Sequence, residues 1–130
     1  MTLNDIYVHT SRSSEFLRKI MMTNQVIEFA PFHLAEGKSE SDLVAASERF
    51  QAEFLNEHKG FVRRSLVKHE DGAYADIVVW AHSSASEKAF VAAGQHEAGQ
   101  AYFSMIDMSR EHQPRKAGAM EFFSVVGTYG

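Results

Sequence analysis

Glu28 is the residue of this chain best placed to do chemistry. It sits inside the apolar run Val26-Ile-Glu-Phe-Ala-Pro-Phe-His-Leu34. By the period of two of an extended chain, Val26, Glu28, Ala30 and Phe32 share one face, and Ile27, Phe29 and Pro31 share the other. A carboxylate on an apolar face must find hydrogen-bond donors or lose its charge, because an unpaired buried charge is very costly. Such a group can serve as a general base toward an acidic C–H or a phenol. The alternative is a structural pair with Arg63, Arg64 or a histidine. Asp76 shares parity with Val78 and Trp80 and reads as a hairpin-end cap or as the partner of an arginine on the neighbouring strand. Trp80, the sole tryptophan, is either core filler or a wall for a planar ligand.

Seven histidines invite a metal site, but no His-x-x-x-His or His-Glu-x-x-His spacing occurs, so no metal site is assigned. His96, followed by Glu97, lies near a break in a helical pattern, where pocket mouths are often lined. His33 and His82 fall near strand ends and could meet in space. The sequence carries no phosphate loop, no glycine-rich dinucleotide fingerprint and no Ser-His-Asp signature, and therefore calls for no cofactor. Gly94 and Gly99 are isolated and carry no phosphate-site meaning. The aromatic set, including Phe50, Phe54, Phe61, Phe90, Tyr102 and Phe103, must be mostly core and interface, with some of it free to line an apolar cavity.

These residues need elements to hold them. A strand over 26–34 is followed by a helical pattern from about Ser41 to His58. Leu43, Ser47, Phe50, Phe54 and His58 recur there at spacings of three and four. Ser39 with Asp42 resembles a capping box, and Gly60 supplies a stop. Strands follow at Phe61–His69 and Tyr74–His82, joined by the tight turn Asp71-Gly72. A second helical region, Ala85–Ile106, is opened by a Ser84/Glu87 capping box and broken near Gly94. Its later part places Ala98, Ala101, Tyr102, Met105 and Ile106 on one side. A polar connection over 107–118 leads to a last strand, Met120–Gly127. The order β-α-β-β-α-β predicts an α+β, ferredoxin-like domain with an antiparallel four-stranded sheet. Two helical segments cover one sheet face only. Apolar residues of both parities (Val26/Ile27, Val78/Val79) therefore predict a homodimer through the face carrying Ile27 and Phe29.

Residues 1–23 form an N-terminal arm before a domain over 24–130. Within it 5–9 suits a short extended piece, and 14–21 two helical turns capped by Ser13 or Ser14. The arm is expected to pack on its own domain or its dimer mate; a lid over a pocket is the sharper alternative. At 130 residues the chain can bury a core without staples, and it contains no cysteine, which excludes disulfides, thiol nucleophiles and thiolate metal sites. A formal charge of −4 disfavours nucleic acid and anionic membrane as partners. No apolar run in the predicted strands is long enough to span a bilayer, and the first twenty residues hold no secretory h-region, so a cytoplasmic location is expected.

Glu28 on the first strand, Glu36-Gly37 before the helix, Gly60-Phe61-Val62, the strand Asp76–Trp80 and the helix Ala85–Phe90 together resemble the antibiotic-biosynthesis-monooxygenase family of the dimeric α/β-barrel superfamily. The resemblance covers about residues 24–127. It implies two sheets paired back to back, with a pocket between each sheet and its own helices. Haem-degrading members carry Asn, Trp and His where this chain has Ala30, Ala93 and Phe103, which disfavours that activity. Members that need no cofactor let a substrate carbanion react with oxygen directly. The resemblance therefore implies a monooxygenase acting on a small aromatic or polyketide-like substrate, with Glu28 as base and Phe50, Phe54, Trp80, His96 and Tyr102 lining the pocket. A non-catalytic barrel that binds a small apolar or aromatic ligand, or serves in a stress response, is the alternative.

Overall fold

The computed structural model describes residues 24–109 and 120–130. The elements expected in the arm over 1–23 lie outside the described residues, as does most of the 107–118 connection. Strand β1 (Val26–Phe32) leads into helix α1 (Glu40–Glu53) and a short 3-10 turn (Leu55–Glu57). The hairpin of β2 (Phe61–Lys68) and β3 (Tyr74–Trp80) follows, then helices α2 (Ser83–Ala93) and α3 (Glu97–Phe103), then β4 (Glu121–Ser124). The sheet order is β2-β3-β1-β4 and every pairing is antiparallel. This is the ferredoxin-like α+β fold expected from the order of segments.

Local chemistry explains the boundaries. Ser39 caps α1: its hydroxyl accepts from the Asp42 N–H at 3.1 Å, and the Asp42 carboxylate accepts the Ser39 N–H at 2.9 Å. The helix ends earlier than its apolar stripe suggests, because the chain tightens into the 3-10 turn after Phe54. Gly60 then takes a positive φ of 92°, with the site of a Cβ only 2.6 Å from the Ala85 side chain, so only glycine fits. The expected Ser84/Glu87 capping box does not form. Helix α2 begins two residues earlier with His82 at its N-cap, and the Ser84 hydroxyl instead lies 2.7 Å from His82 Nδ1. Gly94 does separate two helices. Gly99, which had no assigned part, lets α3 approach the end of α2: a Cβ there would lie 2.1 Å from the Ala93 carbonyl oxygen.

Pro31 sits in a central strand, where a missing N–H is normally harmful. Gln25, of the same parity, directs its carbonyl to Val125 on the β4 side. Pro31 thus faces that side too, and among the described residues β4 pairs β1 only as far as Phe29, so no ladder bond between them is lost. The three helices cover one face of the sheet. Leu43, Phe50, Phe54, Val78, Trp80 and Tyr102 meet there in a core of buried side chains. Among the described residues no helix is long and apolar enough to cross a membrane.

Candidate functional site

The β1–β3 register pairs Glu28 with Val78 and Ala30 with Asp76. Cross-strand partners share a sheet face, so both carboxylates look toward the helices. A cavity of about 280 Å³ lies between that face and the helices. Glu28, Ala30, Asp76, Val78 and Trp80 line it from the sheet, and Phe50, Ser86, Ala89, Phe90, Tyr102 and Phe103 from the helices. Its lining is overwhelmingly apolar, with a few polar groups converging on it, the usual composition of a small-molecule site.

Glu28 is half-buried at the edge of this cavity. One carboxylate oxygen, Oε1, accepts two hydrogen bonds, from the Ser86 hydroxyl at 2.6 Å and from the Trp80 indole N–H at 3.2 Å. Both donors are neutral. Among the described residues no salt bridge reaches Glu28, so the pairing with Arg63 or Arg64 weighed from the sequence is not made. Nor does any hydrogen bond among them use Oε2. Trp80 is at once core, 4% exposed, and part of the cavity wall.

Asp76 lives differently. Arg64 Nη1 donates to its Oδ1 at 2.9 Å, and the Tyr102 hydroxyl donates to its Oδ2 at 2.5 Å. Arg64 Nη2 reaches the Ser47 carbonyl at 3.0 Å and the Ser47 hydroxyl at 2.6 Å, and its Nε donates to Gln51 at 3.3 Å. The guanidinium also lies 5.2 Å from the Tyr102 ring centre, within reach of a cation–π contact. Burial pushes the Asp76 carboxyl above its usual range, against the pull of the Arg64 charge and the Tyr102 hydrogen bond. Burial and then the Asp76 charge push the Tyr102 phenol far above its own. Within the described residues no buried side-chain polar atom lacks a partner.

Of the residues expected at the site, the structure brings Glu28, Phe50, Trp80 and Tyr102 to one cavity. Phe54 and His96 are not part of its lining. They pack on each other, ring centres 5.3 Å apart, while the next residue, Leu55 of the 3-10 turn, joins the lining. His96 caps α3, its Nδ1 accepting the Ala98 N–H at 3.1 Å. His33 and His82 do not meet: β1 and β3 are antiparallel, with Phe32 opposite Tyr74 and Val26 opposite Trp80, so the two histidines lie at opposite ends of the sheet. Among the described residues no group of three or more His, Asp or Glu side chains could hold a metal ion. Ala30, Ala93 and Phe103, the positions compared above with the Asn, Trp and His of haem-degrading enzymes, all line the cavity with apolar groups. Ser86 was not singled out from the sequence. Its signal was present, since Ala85, Ser86, Ala89 and Ala93 form the buried stripe of α2 and a serine within such a stripe needs a partner.

No family model matches this chain and no curated protein matches it. Solved structures do share its fold. SnoaB, a cofactor-independent oxygenase from Streptomyces nogalater, superposes with a TM-score of 0.60 at 20% identity, over 81% of this chain and 96% of that one. A candidate antibiotic biosynthesis monooxygenase from Bordetella bronchiseptica does so at 0.56 and 15% identity, over 79% and 98%. Another, from Caulobacter crescentus CB15, gives 0.55 at 15% identity, over 86% and 99%. At such identities the likeness shows a common fold, the one the sequence resemblance implied.

Proposed function

We propose that this chain is a homodimeric, cofactor-independent monooxygenase for a small aromatic or polyketide-like substrate, with Glu28 as general base. One observation carries the reading. A glutamate borders an apolar cavity, two neutral donors hold one of its oxygens, and the one cation of the described lining, Arg64, is paired with Asp76 instead. A carboxylate so placed is oriented without being neutralised, which is what proton abstraction requires. The fold shared with an oxygenase that needs no cofactor supports the same chemistry.

In this mechanism Glu28 takes a proton from an activated CH2 group, and the electron pair left on carbon attacks O2 to give a peroxide. Loss of the second C–H proton with cleavage of the O–O bond releases water and leaves a carbonyl. The sum is CH2 + O2 → C=O + H2O: carbon gives up four electrons, oxygen accepts them, and Glu28 is returned. Phe50, Trp80 and Tyr102 form the cavity's aromatic wall, and Phe54 and His96 support it from behind. The sheet's other face carries Ile27, Phe29, Ile77 and Phe123, the last 50% exposed in the single chain. A second copy on that face would bury them. A composition free of cysteine suits a cytoplasmic location.

Oxygen uptake with an anthrone, with no flavin, metal or nicotinamide added, tests the activity. Glu28→Gln should slow it by at least ~100-fold. Tight binding of aromatics with no uptake across a panel of activated substrates would move the assignment to the ligand-binding barrel. A monomer in sedimentation at micromolar concentration would remove the dimer.

A further inference from the structure

We infer that the cavity selects its ligand by charge and by hydrogen-bond donation, taking an uncharged planar aromatic that bears a hydroxyl and rejecting the same skeleton bearing a carboxylate. This rests on the reading above that Glu28 faces the ligand. Among the described residues of the lining, two carboxylates, Glu28 and Asp76, face one cation, Arg64. That cation is already committed. Its side chain is 6% exposed, and it donates to Asp76, to Gln51 and twice to Ser47. An anionic ligand would therefore meet no free positive group, only the Glu28 carboxylate in a poorly solvated space where like charges repel strongly.

The donors are committed as well. Ser86 and Trp80 direct their protons to Glu28 Oε1, and Tyr102 directs its own to Asp76. What remains for a ligand on this wall is the acceptor Oε2. A ligand satisfies it only by donating, as a phenol or enol O–H does, and leaving it dry and unpaired is costly. The rest of the space is aromatic and methyl surface suited to a flat ring system.

Calorimetric titration of the full chain at pH 7 with three ligands of one skeleton tests this: 2-naphthol, 2-methoxynaphthalene and 2-naphthoate. The first should bind at least about tenfold tighter than either of the others, about 1.4 kcal/mol. In Glu28→Gln the gap between naphthol and naphthoate should shrink below about threefold, because the repelling charge is gone. Equal affinities for naphthol and either analogue, no binding by any of the three, or an unchanged gap in a folded Glu28→Gln would overturn the inference. If that variant does not fold, the wild-type ranking alone decides. The expected ranking without oxygen uptake would keep the selectivity and sink the monooxygenase. Uptake with the ranking inverted would do the reverse.

Discussion

Asp76 and Glu28 are two carboxylates on neighbouring strands of one sheet face, bordering one cavity, and the protein treats them in opposite ways. Asp76 is buried, ion-paired to Arg64 and hydrogen-bonded by Tyr102, so both of its oxygens are occupied. Glu28 is half-buried and held through a single oxygen by a hydroxyl and an indole N–H. A closed network of that first kind fixes the positions of β2, β3, α1 and α3 relative to one another. An oriented carboxylate with an oxygen to spare is available to a ligand. The difference separates a group that holds the site together from one that can act in it, although both are acidic residues one strand apart.

The largest way to test this contrast is to remove the charge of Asp76. Asp76→Asn leaves the Arg64 guanidinium buried without its anion and should destabilise the fold by about 3–5 kcal/mol, as broken buried pairs do. Urea unfolding followed by circular dichroism would measure it. A loss below about 1 kcal/mol would mean that the network is not structural. Tyr102→Phe comes next. It deletes one hydrogen bond to a charged acceptor while keeping the ring that stacks on Phe50 at 5.1 Å, so about 1–3 kcal/mol should be lost in the same assay.

How much of this was legible beforehand follows from what each signal depends on. The element order, the Ser39 cap, the Gly60 stop and the parity of Glu28 and Asp76 are local features, governed by hydrogen bonds and steric limits within a few residues. The choice of arginine was not local. Counting by twos from Phe61 puts Arg63 on the helix-facing side. A bulge between Phe61 and Arg63 shifts the register, so that Arg64 stands opposite Val78 and Arg63 turns away. Periodicity likewise misses that Leu55 rather than Phe54 lines the cavity, where the helix tightens into a 3-10 turn before its apolar stripe ends. The Gly99 contact needs the tertiary packing of α2, which neither periodicity nor capping encodes; periodicity puts Ser86 on the buried stripe of α2 but does not name Glu28 as its partner.

The titration of Asp76 sharpens the contrast on a smaller scale. Its carboxyl is raised above the ordinary aspartate value of 3.8, chiefly by burial. A carboxyl whose folded pKa exceeds its unfolded one binds protons more readily in the folded state. Its contribution to stability is therefore full below the unfolded value and is lost as pH rises through the folded one. Asp76→Asn removes this titration. The advantage of wild type over the variant should fall as pH rises from about 4, with a slope of at most about 1.4 kcal/mol per pH unit. An advantage that instead grows with pH would show that Arg64 outweighs burial. Exposed Asp42 runs the other way: its pKa is lowered first by the Ser39 backbone hydrogen bond, so what it contributes is present above 3.8 and is lost as pH falls.

The smallest expected effect on stability is the same carboxylate-to-amide change at the other site, which makes it the sharpest comparison. Glu28→Gln keeps the shape of the side chain, and its amide oxygen can still accept from Ser86 and Trp80. The NH2 group replaces Oε2 at the cavity edge, and no buried cation is left without its anion. Unfolding free energy should therefore change by less than about 1 kcal/mol, against several for Asp76→Asn, in the same urea assay. Near-equal losses at the two positions would mean that Glu28 is as structural as Asp76, and its role as a base would fall with the contrast. A small loss, with oxygen uptake gone and the Trp80 environment preserved in the fluorescence of this sole tryptophan, would leave the missing proton acceptor as the defect.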